Sequence, residues 1–274
     1  MASTSSDQID SPSALNPAAA ALVPPDIAAS GVLRTATDPS AAPFTYRSPD
    51  GKFIGFDVEL AGQIAEALGL ELAIEPVPFT ALLPAVASGE ADIAISGLFI
   101  TDERLNNVDF VSYLSGGTSW LVHTGSEFDE PVVFKCGLRV GVVSGTFQAT
   151  QDLPERSQDC REAGEAPLEI VTFASTPEGV EALLTFELSA FVGDRPVVQW
   201  AAEQSKGRLQ VEGAPYDPLE YGIAVSPSQP QLSLAIQEAL TGLMTSGKYR
   251  QLTGKWSVDQ GALENSRIRS SSTG

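Results

Sequence analysis

The chain has 274 residues, 43% of them hydrophobic, enough for a real core in one large domain or two small ones. Its net charge of −19 excludes nucleic acid and anionic lipid surfaces as partners, since both need a positive footprint, although surface acidity also serves solubility and predicts no cationic ligand. There is no run of about 18 apolar residues, so no membrane-spanning helix is expected.

Residues 1–25 are rich in Ser, Ala, Pro and Asp without a clear period, and a flexible leader or tether is expected over 1–27. The first residues lack the basic region and apolar stretch of a signal peptide. Either the protein is cytosolic or a leader has been removed.

Residues 32–37 read as a strand entering the turn Asp38-Pro39-Ser40, and 53–56 as a short extended piece. Over 57–68, Val58, Leu60, Ala61, Ile64, Ala65 and Leu68 recur at helical spacing, and Gly69 closes the helix. A strand over 72–77, a helix over 79–88 closed by Gly89, and an apolar strand over 91–96 follow. This order implies a largely parallel sheet with helices on both faces. The pattern restarts with a strand at 138–143, then Ser144-Gly145-Thr146 and a helix. Strands at 169–173 and 190–194 alternate with helices at 176–184 and 196–204. A late strand at 221–225, an amphipathic helix at 232–246 and a polar tail over 259–274 complete the chain. Two such blocks suggest two lobes rather than a repeat array.

Cys136 and Cys160 are the only cysteines, and with His123 the single histidine a Cys/His zinc site is not expected. A disulfide closing the loop between them would point to an oxidising compartment and a removed leader; two unrelated reduced thiols are the alternative.

Chemistry enters at Ser96-Gly97-Leu98-Phe99-Ile100-Thr101-Asp102-Glu103-Arg104. This run sets a planar cation just past a buried strand, where an arginine can hold a carboxylate through two parallel hydrogen bonds. Together with Pro43-Phe44, Gly55-Phe56-Asp57-Val58-Glu59-Leu60, Val108-Asp109-Phe110, Gly145-Thr146, the 190–194 strand, Gly247-Lys248-Tyr249 and Lys255-Trp256, the run resembles the family 3 extracellular solute-binding proteins, over roughly 31–256. These are the amino-acid-binding components of ABC importers.

The resemblance implies an α/β, two-lobed periplasmic-binding-protein fold of type II with two crossing hinge strands. Lobe one would comprise 28–117 and 219–258, lobe two 118–218, and 259–274 a flexible tail, with hinges near 115–119 and 215–221. The implied role is an extracytoplasmic binding protein, secreted, periplasmic or lipid-anchored. It would act as a monomer without a cofactor or metal, with a small zwitterion and a membrane ABC permease as partners.

In the resemblance Arg104 matches the carboxylate-binding arginine and Asp194 the ammonium-binding aspartate. Backbone groups of Gly97, Leu98, Phe99 and Gly145 and the Thr146 hydroxyl would add donors, and Asp38, Phe79 and Ser96 complete the candidate site. Each has a duller reading. Arg104 could pair with Asp102 or Asp109, Asp194 could cap the helix near Pro196, and Phe79 and Phe99 could be core.

Two departures limit the substrate. Ala41 stands where many relatives carry an aromatic ring, and Phe99 where many carry Ser or Thr. Phe99 is expected to supply the ring missing at position 41. Other readings are an enzyme on the same scaffold, similar to cyclohexadienyl dehydratases, with Glu59, Glu187 or Asp194 as general acid, and a detached receptor sensor domain. His123 is not expected to serve as a base, and no Ser-His-Asp order appears.

Overall fold

The computed structural model describes residues 15–126 and 131–271; the first part of the leader expected over 1–27, residues 1–14, and the last residues of the tail lie outside them. The elements are α1 (Pro17–Ala20), α2 (Pro25–Ser30), β1 (Val32–Thr37), β2 (Ser40–Ala41), β3 (Thr45–Arg47), β4 (Phe53–Ile54), α3 (Phe56–Leu68), β5 (Glu71–Pro76), α4 (Leu82–Ser88), β6 (Ile93–Ala94), α5 (Asp102–Leu105) and β7 (Asp109–His123). There follow β8 (Arg139–Val143), α6 (Leu153–Glu162), β9 (Glu169–Phe173), α7 (Thr176–Leu184), β10 (Ala190–Asp194), α8 (Arg195–Gln204), β11 (Leu209–Val225), α9 (Pro230–Thr245), α10 (Lys248–Lys255) and β12 (Ile268–Arg269).

The main sheet runs β5-β1-β6-β11-β7-β10-β8-β9, with β12 on β7. β1 is parallel to β5 and β6 in lobe one, and β8 is parallel to β9 and β10 in lobe two. β7 and β11 are antiparallel and run through both lobes. Their outer parts pair as Gly222 to Val225 with Ser112 to Asp109, and as Leu209 to Glu212 with His123 to Trp120. Between these stretches the register shifts repeatedly, around Tyr216 and Leu219, where a bend costs few ladder bonds. Helices cover both faces of each half. In lobe one α3 and α9 pack Leu60, Ile64, Ile236 and Leu240 on one side, while α4 packs Leu82 and Val86 against Phe110 on the other. In lobe two Trp120, Val140 and Leu153 fill one face, and Leu121, Leu183 and Phe191 the other.

The crossing strands approach so closely that glycine is required. A Cβ on Gly116 would lie 2.5 Å from the ring and hydroxyl of the fully buried Tyr221. Gly116→Val is therefore expected to lower stability by about 1–3 kcal/mol, the usual range for overpacking. Urea midpoints test this, with Gly254→Ala as the control, because nothing lies within 4 Å of that added methyl.

Cys136 and Cys160 form a disulfide with Cα atoms 5.7 Å apart, tying the segment before β8 to α6. The alternative of two free thiols does not hold.

Two expectations are corrected. Within the supposed tether, α1 and α2 are helical and, with the connection between them, bury Ala19, Val23 and Ile27 in the lobe-one core. Asn16 caps α1 by accepting the Ala18 and Ala19 N–H groups, and its own N–H donates to Ala67 O. Three or four well-spaced apolar residues sufficed to dock a stretch whose composition looked unstructured. The supposed tail continues the sheet: β12 pairs with Val111 and Phe110, and Ser266 Oγ donates to Ser112 O at 2.8 Å. Here backbone pairing supplies what an apolar face would otherwise have to.

Candidate functional site

The carboxyl ends of β1, β6, β8 and β10 converge on one cleft between the lobes, the place where open α/β sheets offer ligand sites. The lobes meet across the cleft through Arg104 and Gly145 O, and the space left inside amounts to about 40 Å³, where a single water needs about 10–15 Å³ by the same measure.

Arg104 lies on α5, whose N-cap Thr101 accepts the Arg104 N–H at 3.3 Å. Its guanidinium donates to Phe99 O (2.7 Å) in lobe one and to Gly145 O (3.0 Å) in lobe two, and sits 5.6 Å from the Phe79 ring centre. Neither Asp102 nor Asp109 holds it among the described contacts. Burial lowers its pKa to about 10, against the charge of Asp194, so it stays cationic at neutral pH.

Asp194 ends β10 directly before α8, yet its side chain makes no capping hydrogen bond. Instead Oδ1 accepts from Gln148 Nε2 at 2.7 Å, and the same nitrogen donates to Thr118 Oγ1 at 3.1 Å. Burial pushes the Asp194 pKa up to about 7, while Gln148, Arg104 and the neighbouring Tyr221 hydroxyl pull it down.

Asp38 presents a second carboxyl to the cleft. Its Oδ1 accepts the Ser40 N–H (3.0 Å), its own N–H donates to Ser96 Oγ (3.1 Å), and burial raises its pKa. Phe79, Ser96, Gly97, Phe99 and Thr146 line the cleft with these charged residues. Phe99 stacks on Tyr221 at 4.4 Å between ring centres, meets Phe147 edge-on at 6.1 Å, and lines the same cleft as Ala41. It is core and cleft wall together.

Other expected members sit differently. Leu98 lies behind the wall in the lobe-one core, its carbonyl accepting the Gly222 N–H. Gly145 is off the lining and acts through its carbonyl on Arg104. The Thr146 hydroxyl donates to Val143 O at 2.8 Å, and the Thr146 N–H also turns back to Val143 O, so both close the turn instead of pointing inward. That turn opens a π-helical stretch, Gln148–Asp152, ahead of α6. Of the three candidate general acids only Asp194 is in the cleft. Glu59 pairs with Lys255 at 2.8 Å on the surface, and Glu187 is exposed beside Thr185.

The sequence reading missed Gln148, Phe147, Phe44 and Thr176 on the lining, and Asp57 and Tyr221 behind it. Gln148 lies two residues past the Gly145-Thr146 pair, with Phe147 between, and Asp57 belongs to the Gly55–Leu60 run, so both were next to or within marks already noted.

Residues 33–259 match the profile of the bacterial extracellular solute-binding proteins, family 3. The chain belongs to that family. It is 33% identical over 248 residues to the arginine-binding protein ArgT of Corynebacterium glutamicum, covering 90% of this chain and 81% of that one. It is 28% identical to an L-arginine-binding protein of Pseudomonas aeruginosa, covering 85% and 90% respectively. Among solved structures, an ancestral arginine-binding protein bound to arginine superposes with a TM-score of 0.74 at 30% identity, over 82% of this chain and 98% of that one. An ancestral amino acid-binding protein, AncCDT-1, described as a precursor of cyclohexadienyl dehydratase, reaches 0.76 at 27% identity, over 84% and 97%. These relatives are binding proteins, and the fold is the two-lobed type II architecture they share.

Proposed function

We propose that this protein captures an amino acid between its lobes outside the cytoplasm and delivers it, as a monomer, to a membrane ABC importer. The observation that carries the reading is the placement of Arg104 and Asp194 on opposite lobes of one cleft whose walls are in contact. A zwitterion satisfies both charges only when the lobes are shut, so it favours the closed state selectively.

Asp38 adds a third charged group to the same cleft, giving two carboxyls against one guanidinium. A ligand with one carboxylate and two cationic groups would balance them, and the flat walls of Phe79, Phe99 and Phe147 suit a long side chain. A basic amino acid of the arginine type fits this pattern, in line with the ligands named for the arginine-binding relatives.

The test is a thermal-shift screen of the purified protein against the amino acids. L-Arginine or L-lysine should give the largest shift, with stabilisation of about 2.7 kcal/mol at a hundredfold excess over the dissociation constant. Acidic amino acids should give none. A screen in which no amino acid stabilises the protein would overturn the reading.

A further inference from the structure

Behind the cleft wall lies a cluster of buried polar groups that ligand contact alone does not account for. Asp57, near the start of α3, is fully buried. Its Oδ2 accepts the Gly97 N–H at 2.8 Å. Gly97 has φ +57, and a Cβ there would lie 2.9 Å from the Phe44 ring and 3.5 Å from Asp194 Oδ2. One glycine thus separates two buried carboxyls, one in the lobe-one core and one in the cleft. The other Asp57 oxygen, Oδ1, and the hydroxyls of Tyr113 on β7 and Tyr221 on β11 are buried without a well-aligned hydrogen bond, Tyr113 lying beside Asp57 and Tyr221 beside Asp194.

We propose that Asp57 is a positioning residue of the ligand site, and that ligand capture expels a proton held between Asp57 and Asp194. The inference rests on the amino-acid-binding reading above. Geometry supplies the first half. The Asp57–Gly97 bond pins the left-handed turn after β6, and that turn carries Phe99, whose carbonyl orients Arg104. Charge supplies the second half. Two carboxyls on either side of one glycine, away from bulk water, repel each other's ionisation, and the single guanidinium of Arg104 faces only Asp194. Burial raises both pKa values to about 7, although the Arg104 guanidinium and Gln148 pull that of Asp194 down, and Asp57 has only the Gly97 N–H and the Tyr113 hydroxyl to favour its ionised form.

The charged and titratable groups facing the pair are few. Tyr113 faces Asp57 from β7, while Tyr221 from β11 and Arg104 from α5 face Asp194, with Gln148 as its hydrogen-bond donor. On α3 itself, Glu59 is directed outward to Lys255 of α10. Asp38 shares the cleft but bonds to Ser40 and Ser96, not to Gly97.

The sign follows. A ligand ammonium beside Asp194 favours the ionised pair, so binding releases a proton and affinity falls as pH drops below about 7. Asp57→Asn keeps an acceptor for the Gly97 N–H but removes the repelling charge. Tyr113→Phe removes the hydroxyl that favours ionised Asp57, and leaves the cleft lining intact.

Isothermal titration with L-arginine in buffers of different ionisation enthalpy counts the protons. The wild type should release roughly half a proton or more per ligand near pH 7. Asp57→Asn should release less than half as much, and its dissociation constant should change less between pH 8 and pH 6. Tyr113→Phe should move the midpoint of the affinity profile to higher pH. Arginine binding with no proton released, or pH profiles of both variants superimposing on the wild type, would overturn the inference while leaving the function standing. No binding of arginine at any pH would remove both.

Discussion

Arg104→Ala and Asp194→Ala should each weaken ligand binding by about 3–5 kcal/mol, the cost of leaving a desolvated charge without its partner. That is roughly two to three and a half factors of ten in the dissociation constant. The size follows from how each pole is prepared. The Arg104 guanidinium is already fixed by Phe99 O and Gly145 O, so binding need not order it. The Asp194 carboxyl is fixed by Gln148, itself anchored on Thr118 of a crossing strand. Arg104→Lys should be nearly as damaging as alanine, because an ammonium cannot span two carbonyls and a carboxylate in one plane. Calorimetry measures the loss, and circular dichroism checks that each variant is folded. Affinity within a few-fold of the wild type in either alanine variant would remove that residue from the clamp.

Replacing Cys136 and Cys160 by serine should cost about 3 kcal/mol of stability, from the entropy of the 24-residue loop that the disulfide closes. In a chain of this size that lowers Tm by roughly 6–12 °C. Little else anchors the region. α6 buries Leu153, Ser157 and Cys160, and among the described residues of the segment before β8 only Val132 is buried and apolar. Ligand affinity should stay close to that of the wild type, since neither cysteine touches the cleft. Urea unfolding with and without reductant checks both statements. Equal midpoints would mean that the bond adds nothing to folding.

The helices were legible where a periodic apolar face met a clear stop. The helix expected over 57–68 is found as Phe56–Leu68 with Gly69 in the left-handed conformation, and Thr176–Leu184 and Ala190–Asp194 fall where expected. The helix expected over 79–88 begins as a 3-10 turn, Phe79–Ala81, and the strand expected over 91–96 shrinks to Ile93–Ala94, because the chain must bend there to form the cleft wall. β7 and β11 were the least legible. Glycines and prolines at 116–117 and 215–218 interrupt their alternation, and their length is set by pairing with each other across both lobes. β12 was hidden for a similar reason, since an edge strand of two residues needs a neighbour rather than a pattern.

Within the candidate site, the charged poles and Phe99 could be read from the resemblance, because each sits at a strand end in a marked run. Gln148, Tyr221 and Asp57 could not, because their roles depend on which side chain lies across the interface. No local pattern records that Gln148 meets Asp194 or that Tyr221 stacks on Phe99.

The account stands on Arg104 holding the carboxylate of its ligand, and one pair of titrations tests that directly. L-Arginine and its decarboxylated amine, agmatine, are titrated into the wild type and into Arg104→Ala. The wild type should prefer arginine by about a hundredfold or more, and the preference should largely vanish in the variant. A preference of the same size in both proteins would show that the carboxylate is held elsewhere.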